Sequence, residues 1–273
     1  GMRPHERDGL NHLLGLVGWD SDTVLRSRGA EVFVYQRRVE DTNRYQFGRY
    51  TSDDVNDCLE LFHESFQSQM PDALWHWKYG DGRSLSVLVR KNDRLVAHYG
   101  CADREIIYQG IPSRAVQICD VMVRPSERGV SSRRGVFVQS AQFSQDWIIG
   151  LDGRYLLGFG FPNERAMRLG LRTGLYRETD RLTEVEWRTR RGLPSPWYQF
   201  RPWDPSGRSD DRYGVLWEGM KEGLLEGIVG VRDPDYLRQR YLGHPLVDYD
   251  VFVLEPRWGA GPPLGLVVLR CDG

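Results

Sequence analysis

The stretch of this chain best suited to chemistry runs Asp120-Val121-Met122-Val123-Arg124-Pro125-Ser126-Glu127-Arg128-Gly129-Val130-Ser131-Ser132-Arg133-Arg134-Gly135. An apolar, strand-like run meets a proline-bounded turn, and small residues then open a helix. The first turn of a helix presents N–H groups without intrahelical partners and a partial positive charge, which together suit a pyrophosphate. Gly129, Ser131 and Ser132 leave the backbone open to phosphate oxygens, while Arg128, Arg133 and Arg134 supply counter-charge. The competing reading of the same residues is an ordinary strand-to-helix loop. A second landmark begins about 40 residues on, at Gly160-Phe161-Pro162-Asn163-Glu164-Arg165-Ala166, and continues through Gly170 to Gly174-Leu175-Tyr176.

The elements that must position these residues follow from periodicity. Tyr45 to Tyr50 alternates as a strand, and Thr51, Ser52 and Asp53 offer N-caps to a helix with Val55, Leu59, Phe62 and Phe66 on one face. A short helix after Pro71 carries Leu74, Trp75, Trp77 and Tyr79, a spacing that more often makes core than an acceptor wall. Three β-rich runs follow, Leu85 to Val89, Leu95 to Ala102 and Ala115 to Val123. Then come a helix over Ser131 to Ile148, a strand over Leu156 to Phe161, a helix over Asn163 to Arg172 and a strand over Leu182 to Trp187. Upstream, helices are expected near Leu10 to Val17 and Ser21 to Arg28, and a strand over Glu31 to Val39. This order predicts an α/β (α+β mixed) class: a mixed, mostly antiparallel sheet with helices on both faces.

Part of the pattern recurs. Tyr45-Gln46-Phe47 reappears as Tyr198-Gln199-Phe200, a helix-like segment follows near Leu216 to Leu225, and Arg240-Tyr241 falls where Lys78-Tyr79 stood. Tyr249 to Leu254 and Leu264 to Leu269 then stand for the next two strands. The expected organisation is an extension over 1–44, a main domain over 45–192 and a partial second unit over 193–273, joined near Gly192, Pro194 and Pro196. The second unit reaches Gly273 before any counterpart of Asp120 to Gly135. It is then packing or substrate-gating material if the chain is whole, or the start of a second full domain if it is a piece.

Both landmarks resemble motifs of the GNAT acetyltransferase superfamily. The first is similar to its strand followed by V-x-P-x-x-R-G-x-G-x-G/A, and the second to its strand, N-x-x-A and a helix closing on a glycine and an apolar residue. They stand in the family's order within a matching run of elements over Tyr45 to Trp187, with the second unit a further, partial GNAT-like repeat. The resemblance implies an acetyl-CoA or other acyl-CoA co-substrate and no metal. Val121, Met122 and Val123 would pair their backbone with the pantetheine, the backbone of Arg128, Gly129, Val130, Ser131, Ser132 and Arg133 would hold the pyrophosphate, and Asn163 would bond the pantetheine. Two positions depart from the pattern. Ser131 and Arg133 replace the family's later glycines, and Gly170 occupies the position seven after Asn163 where many members carry a tyrosine as general acid.

An amine attacking a thioester needs positioning and a base. Asp120 at the cofactor strand and His98 on the neighbouring one are the base candidates, against readings of a turn-capping aspartate and a hydrogen-bonded core histidine. Tyr176 is the candidate replacement acid. Glu64 and His63 are candidates to line the acceptor pocket, although a solvated helix face is the commoner outcome. The implied function is N-acyl transfer from acyl-CoA to a small-molecule or peptide amine. Its rivals are a non-catalytic acyl-CoA-binding or regulatory module, and a tandem-GNAT aminoacyl transferase.

Composition limits the other classes. The chain has 273 residues, 40% hydrophobic and 27% charged, with a formal net charge of -1, so nothing draws it to nucleic acid or an anionic membrane. No apolar run approaches the roughly 18 residues of a spanning helix, and charges interrupt the N-terminus, so a cytoplasmic address is expected. Cys58, Cys101, Cys119 and Cys271 and the six histidines are scattered without ligand spacing, so reduced thiols and no metal site are expected. Self-association is expected from the exposed end of an incomplete second unit.

Overall fold

The computed structural model describes residues 19–27, 30–37, 45–129, 135–150, 155–186, 194–205, 208–259 and 261–270. The expected helix near Leu10 to Val17 lies outside them. Of Ser21 to Arg28, expected as a helix, residues 21–27 are instead part of strand β1 (Trp19–Ser27), which forms an antiparallel hairpin with β2 (Ala30–Arg37), and Arg28 lies outside the described residues. Serine, aspartate, threonine and valine are indifferent helix formers, and a facing strand satisfies their backbone groups in a way the local pattern does not reveal.

The main sheet begins with β3 (Gln46–Arg49), and a 3₁₀ turn then leads into helix α1 (Val55–Phe66). At that turn Thr51 and Asp54 form the reciprocal bonds of a capping box. Helix α2 (Asp72–Tyr79) starts after Pro71, and β4 (Val87–Lys91), β5 (Arg94–Tyr108) and β6 (Ile111–Val123) form the centre of the sheet. The last two strands are longer than the sequence indicated, because Glu105 to Ser113 continues both as one hairpin ribbon. Helix α3 (Val136–Ser144) ends in a wide π-type turn to Gly150, and β7 (Leu157–Gly160) and helix α4 (Glu164–Thr173) follow. The sheet order is β3-β4-β5-β6-β7, antiparallel except for the parallel β6–β7 pair. Residues 182–186, expected as the start of a strand, have no regular structure. Leu182 and Val185 are exposed and no neighbouring strand takes up their backbone, so alternation alone was a misleading sign there.

Each face of this sheet has its own core. On one, Leu88, Leu95 and Met122 pack against Cys58, Leu61, Trp75 and Tyr79 of α1 and α2. On the other, Val87, Tyr99, Cys101 and Val116 pack against Ala141 and Ile148. Helices therefore cover both faces, as the element order requires. Arg124, buried after β6, donates to the Leu95 carbonyl and forms ion pairs with Glu60 and Glu64 of α1. Glu64 is thus a structural partner of Arg124.

Beyond residue 193, β8 (Tyr198–Pro202), α5 (Arg208–Glu222), β9 (Ile228–Gly230), α6 (Pro234–Leu237), β10 (Asp250–Pro256) and β11 (Gly265–Leu269) follow. Strands β8, β10 and β11 make an antiparallel sheet with β10 central, the same order as β3-β4-β5. Its core is Trp203, Tyr213, Leu237, Val251 and Val253. Phe47 of β3 stacks on Phe143 of α3 at 5.1 Å, whereas Phe200, at the corresponding place in the repeated motif, is 60% exposed. Among the described residues nothing in this second sheet takes the place of α3. β9, from the segment after residue 193, adds to the main sheet by pairing with the far end of β5, through Ile106–Gly230 and Tyr108–Ile228. Among the described residues no helix is long and apolar enough to cross a membrane.

Candidate active site

The site is built on a bulge in β6. Strand pairing steps from Gly100–Cys119 to His98–Met122, so Asp120 and Val121 together oppose Tyr99. Asp120 takes the left-handed backbone conformation, with φ of 44°. One consequence is that Cys119 and Asp120 both reach Tyr79 of α2, whose hydroxyl donates to Asp120 Oδ2 at 2.6 Å and lies 3.3 Å from Cys119 Sγ. The ammonium of Lys78 pairs with the same carboxylate oxygen. Burial pushes the Cys119 thiol up, and the neighbouring Asp120 adds to it, so this cysteine is a neutral thiol rather than a nucleophile. Gly100 permits the close approach: a Cβ there would stand 1.9 Å from the Cys119 carbonyl oxygen. Gly100→Ala should therefore cost about 2–3 kcal/mol by denaturant unfolding. Unchanged stability would show that the bulge is not held by this contact.

His98 is fully buried beneath the bulge, packed against the rings of Trp75 and Tyr79. Its Nδ1 lies 2.9 Å from the Asp120 carbonyl oxygen, so the ring donates Nδ1–H, and the buried Nε2 has no partner. Burial lowers the His98 pKa from 6.5 to about 4. The ring is then neutral at pH 7 and closed off from substrate, and it positions the bulge as a core histidine would. The unfolded chain binds a proton near 6.5 that the folded protein refuses until about 4. Stability is therefore complete above 6.5 and falls as acid is added, by about 3 kcal/mol from neutral pH to about pH 4. Urea titrations over that range should show this slope in the wild type and a flatter one in His98→Gln.

Beside the bulge the sheet opens. The β6–β7 pairing ends at Ile118–Gly160, yet β6 runs on to Val123 while bonded only to β5, so residues 119–123 offer an unpaired edge towards β7. At the end of this gap Gly135 is the N-cap of α3, and among the described residues no side chain caps the first turn. The donors and the open edge fit a phosphorylated, amide-bearing chain. Val130, Ser131, Ser132 and Arg133 lie outside the described residues. Arg128 turns its guanidinium back to the Val123 carbonyl and to Ser65 of α1, so its side chain has a structural task and the Val123 carbonyl is already engaged. Asn163 is the N-cap of α4, accepting the Ala166 N–H at 2.9 Å.

Gly170 has a steric explanation. The Tyr176 ring lies directly over it, and a Cβ at Gly170 would stand 2.0 Å from Tyr176 Cδ2. The chain turns back after α4 through Gly174, with φ of 74°, and both Leu175 and Tyr176 bond to the Gly170 carbonyl. A tyrosine six residues later thus fills the volume that a side chain at 170 would need. Its ring meets Phe137 edge-on, its hydroxyl lies 3.4 Å from that of Tyr99, and the adjacent Leu175 packs in the same cluster as Val121. Burial raises the Tyr176 pKa, so the phenol is protonated at neutral pH. Lys78 and Gly100 join the site without any signal in the sequence, because only the bulge brings them to Asp120, and Tyr79, whose spacing read mainly as core, joins them there. A cleft of about 570 Å³, walled by Tyr50, His76, Asp81 and Ser84 among others, shares Tyr79 with this network. His63 is not among its walls.

The splayed parallel pair beside an uncapped helix start agrees with a match of residues 46–139 to a family model described as an acetyltransferase (GNAT) domain. Residues 46–139 form a GNAT acetyltransferase domain. A conserved protein of unknown function from Enterococcus faecalis, described as a probable N-acyltransferase, shares the fold at a TM-score of 0.57 and 12% identity. The match covers 84% of this chain but 55% of that one, so the present chain spans about half its length. An aminoglycoside N-acetyltransferase in complex with CoA matches at 0.42 and 15%, covering 55% of this chain and 99% of its own. The glucosamine-6-phosphate N-acetyltransferase of Arabidopsis thaliana matches at 0.40 and 10%, with 52% and 97% covered. No curated protein matches the sequence.

Proposed function

We propose that the protein is an N-acyltransferase that moves an acetyl or related acyl group from acyl-CoA to an amine. The observation that carries this reading is the unpaired edge of residues 119–123, flanked by Asp120 and by the Tyr176 phenol that fills the space over Gly170. Acyl-CoA supplies the activated thioester. Backbone groups of Val121 and Met122 would align it along the open edge, and the first turn of α3 would hold its pyrophosphate. The Asp120 carboxylate binds the acceptor's ammonium group and takes one proton from it, so that the neutral amine's lone pair attacks the thioester carbon; the nitrogen's second proton leaves as the tetrahedral intermediate collapses and the C–S bond breaks, replacing the proton that the phenol gives to sulfur. Lys78 and Tyr79 fix that carboxylate in place, and His98 fixes the backbone beneath it. The Tyr176 hydroxyl donates a proton to the departing sulfur. The filled space over Gly170 favours this reading over a module that only binds acyl-CoA, since a protonated phenol is retained at the spot where the family's acid would be missing.

The direct test is release of CoA thiol from acetyl-CoA across a panel of amines, with mass spectrometry of the product. Amine-dependent release with an acylated product supports transfer. Binding of acetyl-CoA without release on any amine would instead support the binding module.

A further inference from the structure

The Asp120 carboxylate already holds an amine, and that amine belongs to the chain itself. Lys78, the next-to-last residue of α2, pairs through its ammonium with Asp120 Oδ2, and the Tyr79 hydroxyl donates to the same oxygen at 2.6 Å. Both bonds fall on Oδ2, so Oδ1 has no partner among the described residues. Among the same residues, Asp120 is the only carboxylate with which Lys78 pairs. The side chains of Lys78 and Asp120 are 24% and 16% exposed, so the pair is reached from outside and is not sealed in the core.

An ammonium group bonded to a carboxylate is the arrangement from which acyl transfer to a free amine starts. The carboxylate has only to take a proton for the nitrogen to become a nucleophile. Asp120 is itself part of the open edge of residues 119–123, so an amine on its carboxylate stands beside the backbone that would align the thioester. Lysine carries its nitrogen on a flexible four-carbon stem, so Nζ can swing from Oδ2 towards that edge without any movement of α2. An amine and a thioester held on one frame also react without the cost of collecting the amine from solution. The other two lysines of the chain are held differently. Lys91 on β4 pairs with Glu127 at 2.6 Å, and Lys221 on α5 pairs with Glu218 one turn earlier. Neither of those carboxylates belongs to the open edge.

We propose that Lys78 is a self-acylation site: when no free amine occupies Asp120, Nζ of Lys78 takes the acyl group from bound acyl-CoA. This rests on the acyl-transfer reading, since it uses the same base, acid and thioester. Asp120 takes one proton from the Lys78 ammonium, and the nitrogen lone pair attacks the thioester carbon. The second nitrogen proton leaves as the tetrahedral intermediate collapses and the C–S bond breaks, and the departing sulfur takes its proton from Tyr176. The products are Nζ-acyl-lysine and free CoA thiol.

The test is peptide mapping by mass spectrometry after the full chain is incubated with acetyl-CoA and no added amine. Calorimetry first measures CoA binding by the wild type and each variant. The expected result is one acetyl group per chain, on Lys78, with Lys91 and Lys221 unmodified and a first-order rate constant independent of chain concentration. Asp120→Asn and Tyr176→Phe should each slow the modification by about 100-fold while still binding CoA, the loss expected when a proton-transfer group is missing. An unmodified Lys78 in a chain that binds CoA overturns the proposal. So does acetylation spread equally over the three lysines, a rate that rises with chain concentration, or a rate unchanged in both variants. Acetylation of an added amine while Lys78 stays free would overturn self-acylation alone and leave acyl transfer standing. Absence of CoA binding in the wild type would overturn the acyl-transfer reading and this proposal with it.

Discussion

Tyr176→Phe should lower kcat by about 100-fold while leaving the affinity for acetyl-CoA nearly unchanged, since positioned general acids contribute about 10²–10⁴-fold. Phenylalanine keeps the ring over Gly170 and the edge-on contact with Phe137, and removes only the hydroxyl. The loss should appear in kcat and kcat/KM together, the mark of an interaction made only in the transition state. Burial already holds the phenol protonated, so the variant should also lose any alkaline limb that reports its ionisation. Gly170→Ala is the complementary change. Its Cβ would collide with the ring at 2.0 Å, so the tyrosine must swing away. The expected result is a stability loss of about 1–3 kcal/mol together with most of the kcat loss of Tyr176→Phe. Full activity in both variants would remove Tyr176 from the mechanism.

Asp120→Asn should reduce kcat/KM by about 100-fold or more, because the amide neither accepts a proton nor holds an ammonium group. The substitution also strands the Lys78 ammonium, so part of the effect should be a rise in KM for the amine. Asp120→Asn combined with Lys78→Met separates the two contributions. If the carboxylate serves only to neutralise Lys78, the double variant should regain activity. If it receives the proton, activity stays low. Retained kcat/KM in Asp120→Asn would place the base elsewhere.

The sequence carried the main domain well because its elements announce themselves locally. Pro71 starts α2, Asn163 caps α4, and the apolar face of α1 is regular, so each could be placed without knowing its neighbours. The strand expected over Leu182 to Trp187 failed for the opposite reason, since a strand requires a partner that alternation does not reveal. β1 was missed for lack of the same information. Asp120 and Tyr176 were legible as chemistry but not as geometry. Nothing in Cys119-Asp120-Val121 signals a bulge, and Gly170 alone looks like a lost catalytic group until the turn at Gly174 brings Tyr176 back over it. The same holds for His98. Its type marked it as a base, and only burial, with a pKa near 4, shows it to be a support for the strand.

Acyl transfer requires that the open edge of β6 and the start of α3 hold acyl-CoA. Thermal unfolding of the full chain against increasing acetyl-CoA tests this most directly. The account predicts a saturable rise in Tm, corresponding to about 2.7 kcal/mol when the ligand reaches a hundred times its Kd. A Tm that stays flat through millimolar acetyl-CoA, with no competing shift from CoA, would contradict it.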